Sequence, residues 1–478
     1  MQAFAFRMGQ WERPLTAART ILLPLVLGVF GVYVVAQIAV QRGWYSIFSL
    51  TAVLFLVGFA VKRLHVALMA IIIVNVLHST FHFMQERWLV LAVGLLPFVW
   101  RAVSQYRGRM VLTRYHLAWI AFLVFIFTSS LYSENFLLTF AKSISVLLVF
   151  LAMAVMLYYH LKFNPKDFGT LMVMLAYSNV VVTVWSFLHV IGAAGAVGKT
   201  VLGNPNSLGA FLTLTLPYVV YQFYNSMNRP VRISWLVLVG MNFFFLLRTH
   251  SRASLLGVLV GVSLYWFARN RAGFAYFVGL LFLAFVMQIT FSPAMRHSFL
   301  QTYIYKGSVT GDALRSRRST WERQWDVFKK YPLTGVGFGL SEGCGKYWTF
   351  SLSSGAAMKE SGSSLMMLME GGGLPAAVLG YLPPLMLIYY GGQRYRRIIL
   401  ERSTLSEEED RMCVLLAGCV GGFINCQFEG WLYAAGSMWS IFFWYQAALL
   451  LYVLTSMEEK ELGLVPSQAV EGESPPPA

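Results

Sequence analysis

The segment Arg315-Ser-Arg-Arg-Ser-Thr-Trp-Glu-Arg-Gln-Trp-Asp-Val-Phe-Lys-Lys-Tyr-Pro-Leu-Thr-Gly-Val-Gly-Phe-Gly339 gathers permanent positive charge beside aromatic rings. Arg317 and Arg318 stand near its start. Guanidinium groups stay charged when buried and grip phosphate oxygens with two parallel hydrogen bonds. A second basic pair lies in Leu246-Leu-Arg-Thr-His-Ser-Arg-Ala-Ser254, where Arg248 and Arg252 are spaced i and i+4. They share one side of a helix if the turn between them is helical. In Gly203-Asn-Pro-Asn-Ser-Leu-Gly209 a tight turn opens an apolar run, and Asn204 and Asn206 flank a helix N-terminus suited to an anion. Three carboxylates sit where apolar runs begin or end: Glu360, Glu370 and Glu429. A carboxylate within reach of a hydroxyl can act as a general base. Plainer roles stand beside each of these: arginines reaching lipid headgroups, asparagines capping a turn, and glutamates in helix-end ion pairs. His250 has a structural role as its simplest reading. His78 and His82 are also i and i+4, but no further ligands accompany them, so packing is the expected role and no metal site is assigned. Metalloprotease, serine-elbow and phosphate-loop motifs are missing from the sequence, and no cofactor is expected.

These residues are held by a membrane-embedded chain. Of 478 residues, 57% are hydrophobic and 12% charged, and the mean hydropathy is +0.61. Soluble domains carry about a quarter charged residues. Continuous apolar runs that match a hydrocarbon core about 30 Å thick mean transmembrane helices, since only helices or closed barrels satisfy their backbone there. The expected class is an all-α polytopic membrane protein with about 12–14 spans. The runs fall near 20–40, 45–61, 64–80, 88–103, 115–132, 138–160, 169–190, 205–224, 233–248, 252–268, 273–292, 361–390, 412–428 and 437–456. They divide the chain into N-terminal helices (1–168), a central helical core (169–292), a large loop (293–360), C-terminal helices (361–456) and a tail (457–478) expected to be disordered. With the N-terminus inside, 21 of the 37 basic residues fall in inward loops, as the positive-inside rule requires. That distribution also accounts for most of the net charge of +16 without nucleic acid.

The loop 293–360 breaks the charge rule from the outer side, with ten basic and five acidic residues. Trp321, Trp325 and Phe328 recur at helical spacing within it. This stripe predicts an amphipathic helix lying at the membrane interface, which Pro332 ends. Anionic headgroups and an anionic substrate both explain the loop's charge. Cys413, Cys419 and Cys426 share one span, as expected for packing rather than disulfides.

Taken in order, the motifs Gly203-Asn-Pro-Asn206, Thr249-His-Ser-Arg252, Arg317-Arg-Ser-Thr-Trp321, Pro332-Leu-Thr-Gly-Val-Gly-Phe-Gly339, Glu360-Ser-Gly-Ser-Ser-Leu365, Glu370-Gly-Gly-Gly-Leu374 and Phe428-Glu-Gly-Trp-Leu432 resemble the bacterial O-antigen ligase and polymerase superfamily (WaaL-type ligases and Wzy-type polymerases). The resemblance covers roughly 170–450. It implies a GT-C-like glycosyltransferase architecture in the bacterial cytoplasmic membrane, with the active site facing the periplasm or exterior. It also implies an undecaprenyl-diphosphate-linked oligosaccharide donor, a glycan acceptor and no metal. Membrane lipids, a flippase and a chain-length regulator are the further partners it suggests. On this resemblance Glu360, Arg317 and Arg252 are the catalytic candidates. Arg318, Arg248, Asn204, Asn206, Glu370 and Glu429 are candidates for substrate binding. Ligases of the family carry a histidine where this chain has Glu360, a departure that favours a polymerase over a ligase. A transporter of lipid-linked oligosaccharides is the alternative from another class, although no internal repeat of the kind common in transporters is visible.

Overall fold

The computed structural model describes residues 112–192, 202, 205–276, 278–279, 315–342, 362–401, 404–434 and 437–463. The four spans expected before residue 104 and most of 273–292 lie outside these residues, as do His78, His82, Asn204, Cys344 and Glu360. Helices α1 (Arg114–Tyr132), α2 (Phe136–Phe163), α3 (Phe168–Gly192), α4 (Pro205–Asn225), α5 (Arg229–Arg248) and α6 (Arg252–Arg269) precede the loop helix α7 (Arg315–Lys330). After it come α8 (Ser364–Glu401), α9 (Glu407–Cys426) and α10 (Met438–Glu461). No strand occurs among the described residues, and six helices there are long and apolar enough to cross a membrane: α1, α2, α3, α5, α8 and α10. The protein is an all-α polytopic membrane protein.

Local sequence sets the helix limits. Thr113 and Ser406 close capping boxes with His116 and Glu409 at the starts of α1 and α9. Ser251 and Ser437 cap α6 and α10 through the amides of Ser254 and Ser440. Helix α10 runs to Glu461, so the first residues of the tail expected to be disordered, 457–461, are helical; 464–478 lie outside the described residues. The last turns of α10 are tied down by Lys162–Glu459, Lys460–Glu408 and Arg394–Glu461 ion pairs.

Successive spans alternate in direction, giving the bundle two ends. One collects the ion pairs just named together with Arg269–Asp410 and the Asn225–Asp410 hydrogen bond. The other collects Ser133, the start of α6, the loop helix, the start of α8 and the turn after α9. Small residues let two of these elements meet closely. A Cβ on Gly257 of α6 would stand 2.7 Å from the Gly421 carbonyl of α9, and one on Gly261 would stand 2.8 Å from that of Ala417. Backbones approach this closely only where side chains are missing. Elsewhere the interior is sealed by a buried amide cluster: Asn179 donates to Thr215 (2.8 Å) and Asn242 (2.9 Å), and Asn242 donates back to Asn179 (2.9 Å). This joins α3, α4 and α5 with the polar groups of the cluster satisfied by each other.

Candidate active site

The loop helix α7 enters the bundle end with one face inward. Gln324 and Val327 are buried, with Arg317 and Thr320 on the same side, while Arg318, Glu322 and Trp325 face out. The face packed against protein is therefore a different one from the Trp321–Trp325–Phe328 stripe, which is expected to meet the membrane interface. Trp325 is 43% exposed, and the packing side is rotated toward Gln324, whose neighbours include Gly362. The rotation separates two arginines adjacent in sequence. Arg317 points into protein; Arg318 lines a shallow surface groove of about 230 Å³ with Trp321, Glu322, Trp325 and Met366.

Arg317 is the hub of the inward face. Its guanidinium donates to the Phe428 carbonyl and the Glu429 carboxylate, and at 3.5 Å to the Gly362 carbonyl. A guanidinium has five N–H donors, and these bonds use three. Glu429 is held from the other side, since its carbonyl accepts from Ser364 Oγ at 3.1 Å. The same hydroxyl accepts from the Leu432 amide at 3.2 Å. The ring of Trp321 leans on Phe428, with centroids 6.4 Å apart. Three segments distant in sequence thus converge: the start of α7, the start of α8 and the turn 428–432.

Glu370 lies elsewhere in this end. It is 1% exposed and pairs with Arg323 at 2.7 Å, and it accepts the Glu342 amide at 3.3 Å. The backbone around it explains the glycines. Helix α8 breaks at Gly373 (φ 66°, ψ −164°), where its carbonyls lose their helical partners. The segment 332–339 replaces them: Val336 donates to Glu370 O (3.0 Å), Gly337 to Gly371 O (2.8 Å), and Leu374 donates to Pro332 O (2.8 Å). Gly335 has φ 62°, and a Cβ there would run into the backbone of Gly371. Lys142 of α2 adds a hydrogen bond to Gly339 O, and Ser129 Oγ accepts from Phe338 N at 3.3 Å. The Gly-rich motif is a clamp on a broken helix. At its exposed flank Lys330 pairs with Glu342 at 2.8 Å, and that hydrogen bond raises the lysine pKa above its ordinary value.

Arg248 and Arg252 do not share a helix. Arg248 closes α5, exposed and 5.9 Å from the Phe244 ring; Arg252 opens α6, and His250 between them has φ 49°. The left-handed residue turns the chain and defeats the i, i+4 geometry. Asn206 lies in the first turn of α4, beside Ser207, whose carbonyl accepts from Trp439 Nε1 at 2.8 Å. Sequence reasoning missed Arg323, Ser364 and Asn425. Asn425 had a readable signal, as an amide inside an apolar run is costly unless it has work.

Residues 235–366 match the O-antigen ligase family model, a stretch holding Arg248, Arg252, the whole loop and the start of α8. An O-antigen ligase of Salmonella typhimurium (strain LT2) is 27% identical over 137 residues, 27% of this chain. Both findings support the O-antigen ligase and polymerase superfamily. The chain spans about a third of the length of that curated relative, 34%. The fold is that of a multi-pass membrane protein.

Proposed function

We propose that the protein polymerises undecaprenyl-diphosphate-linked oligosaccharide repeat units into an O-antigen, capsular or exopolysaccharide chain on the outer face of the cytoplasmic membrane. The observation carrying this reading is the position of Arg317, which lies in the matched stretch 235–366 and is a fixed cation held by the Gly362 carbonyl and, from beyond that stretch, by Glu429 and the Phe428 carbonyl. In the reaction an acceptor hydroxyl oxygen bonds to the anomeric carbon of the donor. The bond from that carbon to the phosphate oxygen breaks, and lipid diphosphate leaves with the electron pair. Fixed guanidinium groups stabilise the negative charge that develops on the leaving group. Arg317 and Arg252 take this part, with Arg318 and Arg248 attracting the diphosphate from the exposed sides and Asn204 and Asn206 supporting it. Glu360 or Glu429 removes the hydroxyl proton. For Glu429 this follows naturally from its pairing: a diphosphate that competes for Arg317 frees the carboxylate beside it. Glu370, being ion-paired with Arg323 in the clamp, serves to hold α7 in place. Metal is not required in this scheme, as the arginines supply the charge.

A second reading has its own support. The Salmonella relative is named an O-antigen ligase, so transfer of the finished glycan to a lipid A-core or protein acceptor is the alternative. Gene deletion separates the two. Loss of a polymerase leaves single repeat units on the final acceptor; loss of a ligase leaves long chains on undecaprenyl diphosphate. Single units trapped on the cytoplasmic side would overturn both in favour of a flippase.

A further inference from the structure

The mechanism above needs Arg252 and the Arg317–Glu429 pair at a fixed separation, yet they stand on different helices. One buried side chain connects their supports. Asn425, fully buried near the end of α9, donates from Nδ2 to Ser254 Oγ at 3.0 Å. Ser254 Oγ is hydrogen-bonded to Ser251 Oγ at 2.8 Å, and Ser251 is the cap of the helix that Arg252 begins. On its other side, Asn425 Oδ1 accepts from Trp431 Nε1 at 2.8 Å. Its carbonyl accepts the amides of Phe428 (3.0 Å) and Glu429 (3.2 Å). A single residue thus bonds the first turn of α6 and both ends of the turn that holds Arg317. The close α6–α9 packing at Gly257 and Gly421 brings the two within reach. Thr213 of α4 adds a bond to Ser254 O at 3.2 Å, which extends the register to the helix that carries Asn206.

We infer that Asn425 is a positioning residue for glycan transfer: through Ser254 and Trp431 it sets Arg252 against the Arg317–Glu429 pair. The inference rests on the function proposed above. Its buried amide has no approach to substrate, so it acts through the arginines rather than on the reacting atoms. Hydrogen bonds that fix relative geometry show non-additive effects with the groups they fix, whereas general packing defects add.

The test uses the full-length protein purified in detergent or nanodiscs, with a lipid-diphosphate-linked glycan and acceptor. Ser254→Ala and Trp431→Phe each remove one of Asn425's two side-chain bonds from the partner side and leave Asn425 in place, Ser254→Ala also losing the Ser251–Ser254 hydroxyl bond; Asn425→Leu removes both of its own. Each single-bond variant should lower kcat about tenfold, with the KM for acceptor within about twofold of the parent. Combined with Arg252→Lys, Ser254→Ala should cause no further loss. Full additivity with Arg252→Lys, or an unchanged kcat in both single-bond variants, would overturn the positioning role. If the parent protein transfers no glycan from a lipid diphosphate, the proposed function fails, and the positioning role falls with it. Parent activity with additive variants refutes the positioning role alone.

Discussion

Arg317 is bonded to two backbone carbonyls and a carboxylate, so its guanidinium is fixed before any substrate arrives. A preorganised charge of this kind stabilises a developing anion more than a mobile one does. Arg317→Ala should reduce glycan transfer by about 100-fold or more, at unchanged protein level in the membrane. Arg317→Lys should recover only part, as an ammonium cannot reach several diverging acceptors as a planar fork does. Transfer rates with normalised protein amounts decide this, and wild-type activity in Arg317→Ala would remove the residue from the site. The adjacent Arg318, on the outer face of α7, should matter less. The sequence showed both arginines but not which would face inward. That depended on Gln324 and Val327, whose burial sets the rotation of α7.

At the level of elements, two joints hold the site together. The first is the contact of α6 with α9 across glycine. Gly257→Val should destabilise the bundle by about 1–3 kcal/mol, the usual cost of forcing volume into a packed interface. Gly240→Val, at a position with nothing within 4 Å of an added Cβ, serves as the control. Thermal unfolding in detergent, followed by loss of the monodisperse peak, measures the difference. Equal stability of the two variants would contradict the packing argument. The second joint is the clamp of 332–339 on the broken α8. Gly335→Ala should lose activity together with thermal stability, in contrast to Arg317→Ala, which should lose activity alone. The clamp was partly legible: Pro332 ended a helix and the glycines marked a turn. Its purpose was not, because the carbonyls it serves exist only once α8 breaks at Gly373, some 34 residues along the chain from Gly339.

At the scale of the whole molecule, the alternation of spans puts the candidate site and the ion-pair belt at opposite ends. If the belt is cytoplasmic, a cysteine at Trp325 should react with an impermeant thiol reagent from outside intact spheroplasts. One at Arg397, paired with Glu461 at 3.7 Å, should react only after permeabilisation. The background should carry Cys344→Ser; Cys413, Cys419 and Cys426 are buried and should stay silent. The reverse labelling pattern would invert the topology. The interior amide cluster makes its own prediction: Asn179→Leu or Asn242→Leu alone should destabilise more than the pair together. Each single change deprives the remaining buried amide of its amide partner, leaving Asn179 only its threonine bonds or Asn242 only Thr183 and the Leu238 carbonyl, whereas the double change removes both amides.

The sequence alone was sufficient for the helical membrane class, for most span limits among the described residues and for the order of the motifs. Hydrophobic run length and capping residues act locally, so a one-dimensional reading captures them. It also named the arginines and carboxylates that gather at one end of the bundle. Only the tertiary structure decided which of them meet. It joined Arg317 to Glu429 and gave Glu370 to Arg323, it divided Arg248 and Arg252 between two helices, and it placed Asn425 in hydrogen bonds with both Ser254 and Trp431. Such pairings depend on helix rotation and on contacts between residues more than a hundred positions apart, such as Arg317 and Glu429. Those are set by how side-chain volumes pack across helices, which no local pattern records.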